Sequence, residues 1–467
     1  MTKKLLHGLQ TRCFSRETKD IFLTSPETFK DFGLDSRILD ALSEQGYSEP
    51  TPIQSKAIPA VLEGRDVVGL AQTGTGKTAA FTLPLLQRMI DDANPELDGV
   101  VRILILSPTR ELAAQIRKNV VAYSRSLPLR STCITGGVPI KRQLRAMSAG
   151  IDILIATPGR LIDLCNQRKV NLRNVQTLVL DEADHMLDIG FLPDIKRIIA
   201  MLPKKRQTLL FSATMPKKIR ELTSQYLVDP VSVSVAPATK TADKVEQAVM
   251  FVPRPSKIVA MTHLAREHAG KRIIVFTRTK RGADKVARRL GAEGHGAAAI
   301  HGNKSQNQRD RALAAFRDGS TLILIATDIA ARGIDIPDVG LVVNYELPNV
   351  PEVYVHRIGR TARAGASGMA ISLCDEDEKP LLKDIQRLIK LDIPVISTPA
   401  LPPVKPMPKR PTKQKTGDQP GNPKKKRNRR HKPKGGPKQE QAQAHKAKPG
   451  GGRPPRRQRR PSGGGNR

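Results

Sequence analysis

Short continuous apolar runs, separated by stretches of helical period, set the rhythm of this chain. In the first half Asp66–Leu70, Val100–Leu106, Asp152–Ala156, Thr177–Leu180, Thr208–Phe211 and Val231–Val235 read as strands. In the second half Ile273–Phe276, Ala297–Ile300, Leu322–Ala326, Leu341–Val343 and Met369–Leu373 do the same. Runs without polar alternation predict strands covered on both faces, hence parallel sheets flanked by helices. Ala236–Lys244 is polar, contains Pro and Lys, and reads as a linker. The pattern predicts two α/β domains of similar size, residues 29–235 and 245–396, facing each other across a cleft. Residues 1–28 show no clear period and read as a flexible N-terminal extension.

After about Ser397 the apolar pattern stops. Leu401–Arg467 is rich in Lys, Arg, Pro, Gly and Gln, and carries +20 of the chain's net +35. Such a segment buries too little apolar surface to offset its ordering entropy, so residues 397–467 are expected to be a disordered tail. The charge calls for a polyanionic partner, with nucleic acid the leading reading and acidic lipid headgroups the alternative. Pro-Lys-Lys-Lys-Arg at 423–427 also resembles a nuclear import signal, but the basic character spans the whole tail. Aromatic residues make up 3% of the chain and Trp is absent, so contact is expected to run through the sugar–phosphate backbone with weak sequence readout. No apolar run reaches the length of a membrane span. The four cysteines are scattered without a C-x-x-C pair, and the histidines show no metal-ligand spacing. That argues against a disulfide framework or structural zinc and suits a reducing cytoplasm.

The chemistry concentrates first in Ala71-Gln72-Thr73-Gly74-Thr75-Gly76-Lys77-Thr78, between an apolar run and the helical pattern Ala79–Ile90. A strand, a glycine loop and a helix N-terminus together make a phosphate cradle. Gly74 and Gly76 let the backbone curl so that N–H groups converge on phosphate oxygens. Lys77 can reach the β- and γ-phosphates of ATP, and the Thr78 hydroxyl can hold Mg²⁺. Ala71 stands where the strict pattern has Gly. The second site is Val179-Leu180-Asp181-Glu182-Ala183-Asp184, an apolar strand ending in carboxylates. Asp181 can join the Mg²⁺ shell, while Glu182 can polarise the attacking water.

With Asp181–Asp184 spelling the family name, residues Phe29 to Leu391 resemble the DEAD-box ATP-dependent RNA helicases, and the core style and basic tail resemble the bacterial RhlE-type members. The resemblance implies two tandem RecA-like domains. Phe29, Gly46-Tyr47 and Pro50-Thr51-Pro52-Ile53-Gln54 resemble the adenine-reading motif, with Gln54 on the base edge and Phe29 packed nearby. Pro108-Thr109-Arg110-Glu111-Leu112, Gly136-Gly137 and Thr157-Pro158-Gly159-Arg160 resemble RNA-contact motifs. Ser212-Ala213-Thr214, with Asp184, matches the element that couples hydrolysis to strand separation. Val275-Phe276-Thr277-Arg278-Thr279, Gln306 and Arg309, and Thr327 match RNA-side motifs of the second domain. Asp335 matches a ribose contact, and Arg360 and Arg363 match arginine fingers, with Ala362 where many members have Gly.

The implied function is RNA-dependent ATP hydrolysis coupled to local unwinding of structured RNA, such as ribosomal precursors or messenger RNA, alongside ribosome-assembly or RNA-decay proteins. Two alternatives stand beside it: a non-catalytic ATP-dependent RNA clamp, against which Glu182, Arg360 and Arg363 argue, and a DNA helicase, which charge alone does not exclude. His185 extends the acidic motif by one residue, with Glu182 better placed by resemblance to serve as base.

Overall fold

The computed structural model describes residues 27–72, 74–92, 94, 97, 99–235, 245–331, 338–362 and 368–397. Two all-parallel sheets dominate it. The first contains β1 (Val67–Leu70), β2 (Ile103–Leu106), β3 (Ser131–Ile134), β4 (Ile153–Ala156), β5 (Thr177–Leu180), β6 (Gln207–Ser212) and β7 (Val231–Ser234). Its order is β3-β4-β2-β5-β6-β1-β7. The second contains β8 (Val245–Phe251), β9 (Arg272–Phe276), β10 (Ala297–Ile300), β11 (Ile323–Ala326), β12 (Val339–Asn344) and β13 (Gly368–Cys374). Its order is β10-β11-β9-β12-β13-β8.

Each sheet is buried on both faces, as uninterrupted apolar strands require. Along β2, Ile103 and Ile105 pack into one core and Leu104 and Leu106 into the core on the opposite face. The second sheet repeats this: along β9, Ile274 and Phe276 face one way and Ile273 and Val275 the other. Two strands escaped the sequence pattern, and both lie on sheet edges. Only Thr132 and Ile134 of β3 are buried, so that strand never becomes a continuous apolar run. The β8 sequence VEQAVMF has Glu246 and Phe251 exposed and Gln247 buried. Beyond the last described helix, Lys379–Ile389, the chain returns to this edge, where Val249 N donates to Pro394 O and Ile396 N to Val249 O.

The order of strands places the chemistry. In an open parallel sheet, ligands bind beyond the carboxyl ends of the strands. β1, β5 and β6 end there in the phosphate loop, the acidic motif and Ser212, respectively. The linker 236–244, nearly all of the N-terminal extension and all but the first residue of the tail lie outside the described residues.

Candidate nucleotide and nucleic-acid site

The phosphate loop leaves β1 with Ala71 N donating to Ser212 O at 3.0 Å. Gly74 and Gly76 adopt φ of 86° and 93°, the left-handed region where a side chain is strained. Helix Lys77–Asp91 starts at once. Lys77 is buried, and its ammonium donates to Ala71 O at 3.0 Å, folding the side chain back over the loop. Thr75 Oγ1 donates to Gln72 O at 2.7 Å. Thr73 lies outside the described residues.

Gln54 is fully buried on helix Pro52–Leu62 and clamps this loop. Its Oε1 accepts from Thr51 N at 2.8 Å, and its Nε2 donates to Gly76 O at 3.1 Å. The amide retains one hydrogen and one lone pair, the set a glutamine uses on the N6 and N7 edge of adenine. A Cβ at Gly76 would stand 2.4 Å from Gln54 Nε2, so the close approach itself demands glycine. Phe29 is buried and meets Tyr47 edge-on at 6.3 Å. Tyr47 in turn meets Tyr123, with hydroxyls 3.2 Å apart.

Asp181, Glu182 and Asp184 are all buried at the end of β5. Burial pushes the Asp181 carboxyl up to about 6, with Lys77 opposing and Glu182 adding to the rise. Asp181 interacts with Lys77, the residue before the half-buried Thr78, and a carboxylate and a hydroxyl are oxygen donors of the kind a hard cation such as Mg²⁺ takes. Glu182 holds φ 51° and ψ 51°, a left-handed conformation uncommon for a residue with a side chain. Its Oε2 lies 2.9 Å from His185 Nδ1. Burial works to raise the Asp184 carboxyl, but His185, Lys77, the Thr214 hydroxyl and His356 outweigh it and hold it below the usual range. Asp184 Oδ2 accepts from Thr214 N at 3.0 Å and from Thr214 Oγ1 at 2.9 Å, while Ser212 Oγ donates to Thr214 O at 2.7 Å. Continuous bonding thus joins the phosphate loop, Ser212, Thr214 and the acidic motif.

The RNA-contact motifs come together around a cleft of about 280 Å³, lined in part by Pro108, Thr109, Arg110, Thr157, Gly159 and Arg160. Thr109 and Thr157 are the N-caps of helices Arg110–Tyr123 and Pro158–Asn166, so two helix N-termini face it, a favourable setting for phosphate. Pro158 is buried at the first turn of the second helix. Gly137 seats the Arg110 guanidinium: a Cβ there would fall 1.9 Å from Arg110 Nη1. Arg160 Nη1 donates to Val138 O at 2.9 Å.

The second domain reaches this cleft with Gln306 and Arg309. Gln306 Oε1 accepts from Arg110 Nη1 at 3.2 Å, its Nε2 donates to Glu111 Oε1 at 3.2 Å, and Arg309 pairs with Glu111 at 2.9 Å. Both residues therefore hold Arg110 and Glu111, in a first-domain motif that resembles an RNA contact. Glu111, in the first turn of helix Arg110–Tyr123, is an interdomain anchor. Thr327 is buried after β11, and its N donates to Ile300 O at 3.4 Å. Arg278 pairs with Glu378 at 2.9 Å.

In the arginine motif, Arg360 is buried and its Nε donates to His356 O at 3.3 Å. Arg363 and Asp335 lie outside the described residues. Arg357, which the sequence did not single out, grips Asp328 through Nε at 2.5 Å and Nη2 at 2.9 Å, and its guanidinium lies 5.1 Å from the Phe276 ring centroid. The ring of His356 meets that of His185 edge-on, 5.2 Å between centroids. No local spacing announces that meeting, because the two histidines belong to different domains.

The family model described as DEAD/DEAH box helicase matches residues 51–222, and the one described as helicase conserved C-terminal domain matches residues 256–365. The chain is 44% identical over 367 residues to DEAD-box ATP-dependent RNA helicase 30 of Arabidopsis thaliana, covering 78% of this chain and 62% of that protein. It thus spans less than two thirds of that relative's length. It is 44% identical to the RNA helicase CrhR of Synechocystis, covering 80% of this chain and 75% of the relative. Among solved structures, S. cerevisiae Dbp5 bound to RNA and ADP BeF3 is 32% identical with a TM-score of 0.73, covering 80% of this chain and 96% of that one.

Proposed function

Since the chain belongs to the DEAD-box helicase family, we propose that it hydrolyses ATP when RNA is bound and uses that cycle to unwind or remodel structured RNA locally, without sequence readout. Phe29, Tyr47 and Gln54 receive the adenine, and the loop 71–78 cradles the phosphates. Asp335 touches the ribose. Thr78 and Asp181 are the residues that would hold Mg²⁺, and the chemistry such an ion supplies is charge neutralisation at the β- and γ-phosphate oxygens. Glu182 takes the proton of the attacking water. Lys77, Arg360 and Arg363 offset charge on the γ-phosphoryl oxygens. Asp184, Ser212 and Thr214 transmit the phosphate state to the rest of the cleft.

The observation that carries this reading is the seating of the second domain's arginine motif on the first domain's acidic motif, His356 against His185, one turn from Glu182. It supports a site completed only when the domains meet, so that closure and chemistry form one event. RNA held by its backbone across Arg110, Arg160 and the two helix N-termini would follow a path that need not suit a duplex. The decisive test is Glu182→Gln. It should bind ATP and RNA normally yet turn over at least ~10²-fold more slowly, the scale for losing a positioned base. Turnover near the unmutated rate would remove Glu182 from this role.

The basic tail and core style support placing the chain with the RhlE-type members. They favour ribosomal precursor or messenger RNA as substrate, ribosome-assembly or RNA-decay proteins as partners, and the cytoplasm as the site of action. Crosslinking the protein to RNA in its native cell and sequencing the bound RNA tests that assignment. A recovered population dominated by RNA of neither class would overturn it.

A further inference from the structure

His185 is 2% exposed, and its two ring nitrogens have opposite surroundings. Nδ1 lies 2.9 Å from Glu182 Oε2. A carboxylate only accepts, so Nδ1 carries the hydrogen, and in the neutral ring Nε2 keeps the lone pair. Nε2 is buried without a hydrogen-bond partner among the described residues. A buried acceptor left in that state is costly and unusual. The histidine is therefore poised as metal-ligating histidines are, with one nitrogen oriented by a carboxylate and the other offered to an ion.

Two more ligands stand beside it. The donor atoms of Asp184, His185 and His356 all lie within 4.8 Å of one another. Asp184 accepts from His185 N, Thr214 N and Thr214 Oγ1, which leaves about one of a carboxylate's roughly four lone-pair sites for another partner. Two imidazoles and a carboxylate, with a fourth position open, form a donor set suited to Zn²⁺ and its neighbours Co²⁺ and Ni²⁺. Hard ions such as Mg²⁺ prefer all-oxygen surroundings and do not compete well for imidazole.

We propose that Asp184, His185 and His356 form an inhibitory site for a divalent transition-metal ion of the zinc class, assembled only when the two domains meet. Asp184 and His185 come from the first domain and His356 from the second, so an ion held by all three bridges them. Binding the ion at His185 Nε2 keeps the hydrogen at Nδ1, and thus keeps Glu182 Oε2 on the imidazole instead of on water. The bridge also opposes reopening. The metal binding stands on geometry alone, whereas the arrest of turnover rests on the role given to Glu182 above.

The test uses the full-length protein in metal-free buffer with Mg²⁺, Co²⁺ as spectroscopic probe and Zn²⁺ as competitor. Because His431 and His445 lie in the basic tail, a His431→Asn/His445→Asn protein serves as background. One equivalent of Co²⁺ should give the visible bands of a four- or five-coordinate ion, and Zn²⁺ should bleach them. Zn²⁺ should shorten the distance between one dye on each domain. It should also stop RNA-stimulated turnover, relieved by a chelator. His185→Asn and His356→Asn, each compared with its own zinc-free rate, should weaken metal binding at least ~10-fold. Undiminished binding in His185→Asn would overturn the site. So would Zn²⁺ binding to the unmutated protein without a change in interdomain distance, a readout that does not depend on any variant folding.

Discussion

Asp181 illustrates how a single carboxylate can serve chemistry at the expense of the fold. Burial raises its carboxyl from 3.8 to about 6, so above that pH the folded protein carries a charge its surroundings disfavour. For an acid whose folded value is raised, stability is highest at low pH and falls as pH rises from the unfolded value through the folded one. Asp181→Asn keeps the acceptor for Glu182 N, which donates at 2.9 Å, and removes the charge. It should raise the midpoint of thermal unfolding at neutral pH, by an amount corresponding to about 1–3 kcal/mol. The same variant should lose ATP turnover. A lower midpoint would mean that Lys77 and its neighbours already compensate the charge. At this scale the sequence was most legible where chemistry forces local order: Lys77, Thr78, Asp181 and Glu182 are contiguous with their supporting backbone. The pairing of His185 with His356, and of Arg357 with Asp328, was not legible. Those contacts are made across the fold, and histidine and arginine are common on surfaces without special purpose.

Among elements, the phosphate loop is constrained by close packing as much as by its conformation. Gly76 has φ 93° and its missing side chain admits Gln54, the residue proposed above to read the base. Gly76→Ala should therefore reduce ATP affinity at least ~10-fold and blunt preference over GTP, since a displaced Gln54 no longer satisfies the adenine edge. Gly291→Ala, with nothing within 4 Å of the added carbon, should leave nucleotide binding unchanged. Equal affinity in both variants, measured with a fluorescent ATP analogue, would separate Gln54 from the loop. The glycines were visible as a motif, but their contact with Gln54 was not, because helix Pro52–Leu62 precedes β1 in the chain and meets the loop only in the fold. The same limit explains the edge strands. The other strands carry apolar runs that betray them, whereas β3 alternates buried and half-buried positions and β8 interrupts its apolar run with Glu246 and Gln247.

For the molecule as a whole, the sequence resolved two α/β domains but not the contacts that hold them to one another. Glu111 and Arg309 pair at 2.9 Å, with side chains 5% and 11% exposed. Breaking a buried pair from one side leaves an uncompensated charge. Arg309→Glu should therefore weaken RNA-stimulated turnover, and adding Glu111→Arg should recover part of it. The coupling expected from a double-mutant cycle is about 0.5–3 kcal/mol. Additive losses would mean that the pair does not govern closure.

The remaining question at this scale is what Leu401–Arg467 contributes, since it carries +20 but no motif residue and lies outside the described residues. Its charge supports a role in holding RNA near the cleft, because each phosphate it neutralises on a single strand releases counterions. Binding through such contacts weakens with salt, with a slope of about −0.7 per contact. A tether also raises the local concentration of RNA by an amount set by its length. Truncation after Ala400 should then raise the RNA concentration needed for half-maximal stimulation and flatten the salt dependence, while maximal turnover stays similar. Titrating RNA at two ionic strengths in both proteins measures all three quantities. An unchanged RNA requirement and salt slope would assign the tail to solubility or localisation. A collapse of turnover at saturating RNA would instead make the tail part of the catalytic fold, which a segment so poor in large apolar side chains has little means to join.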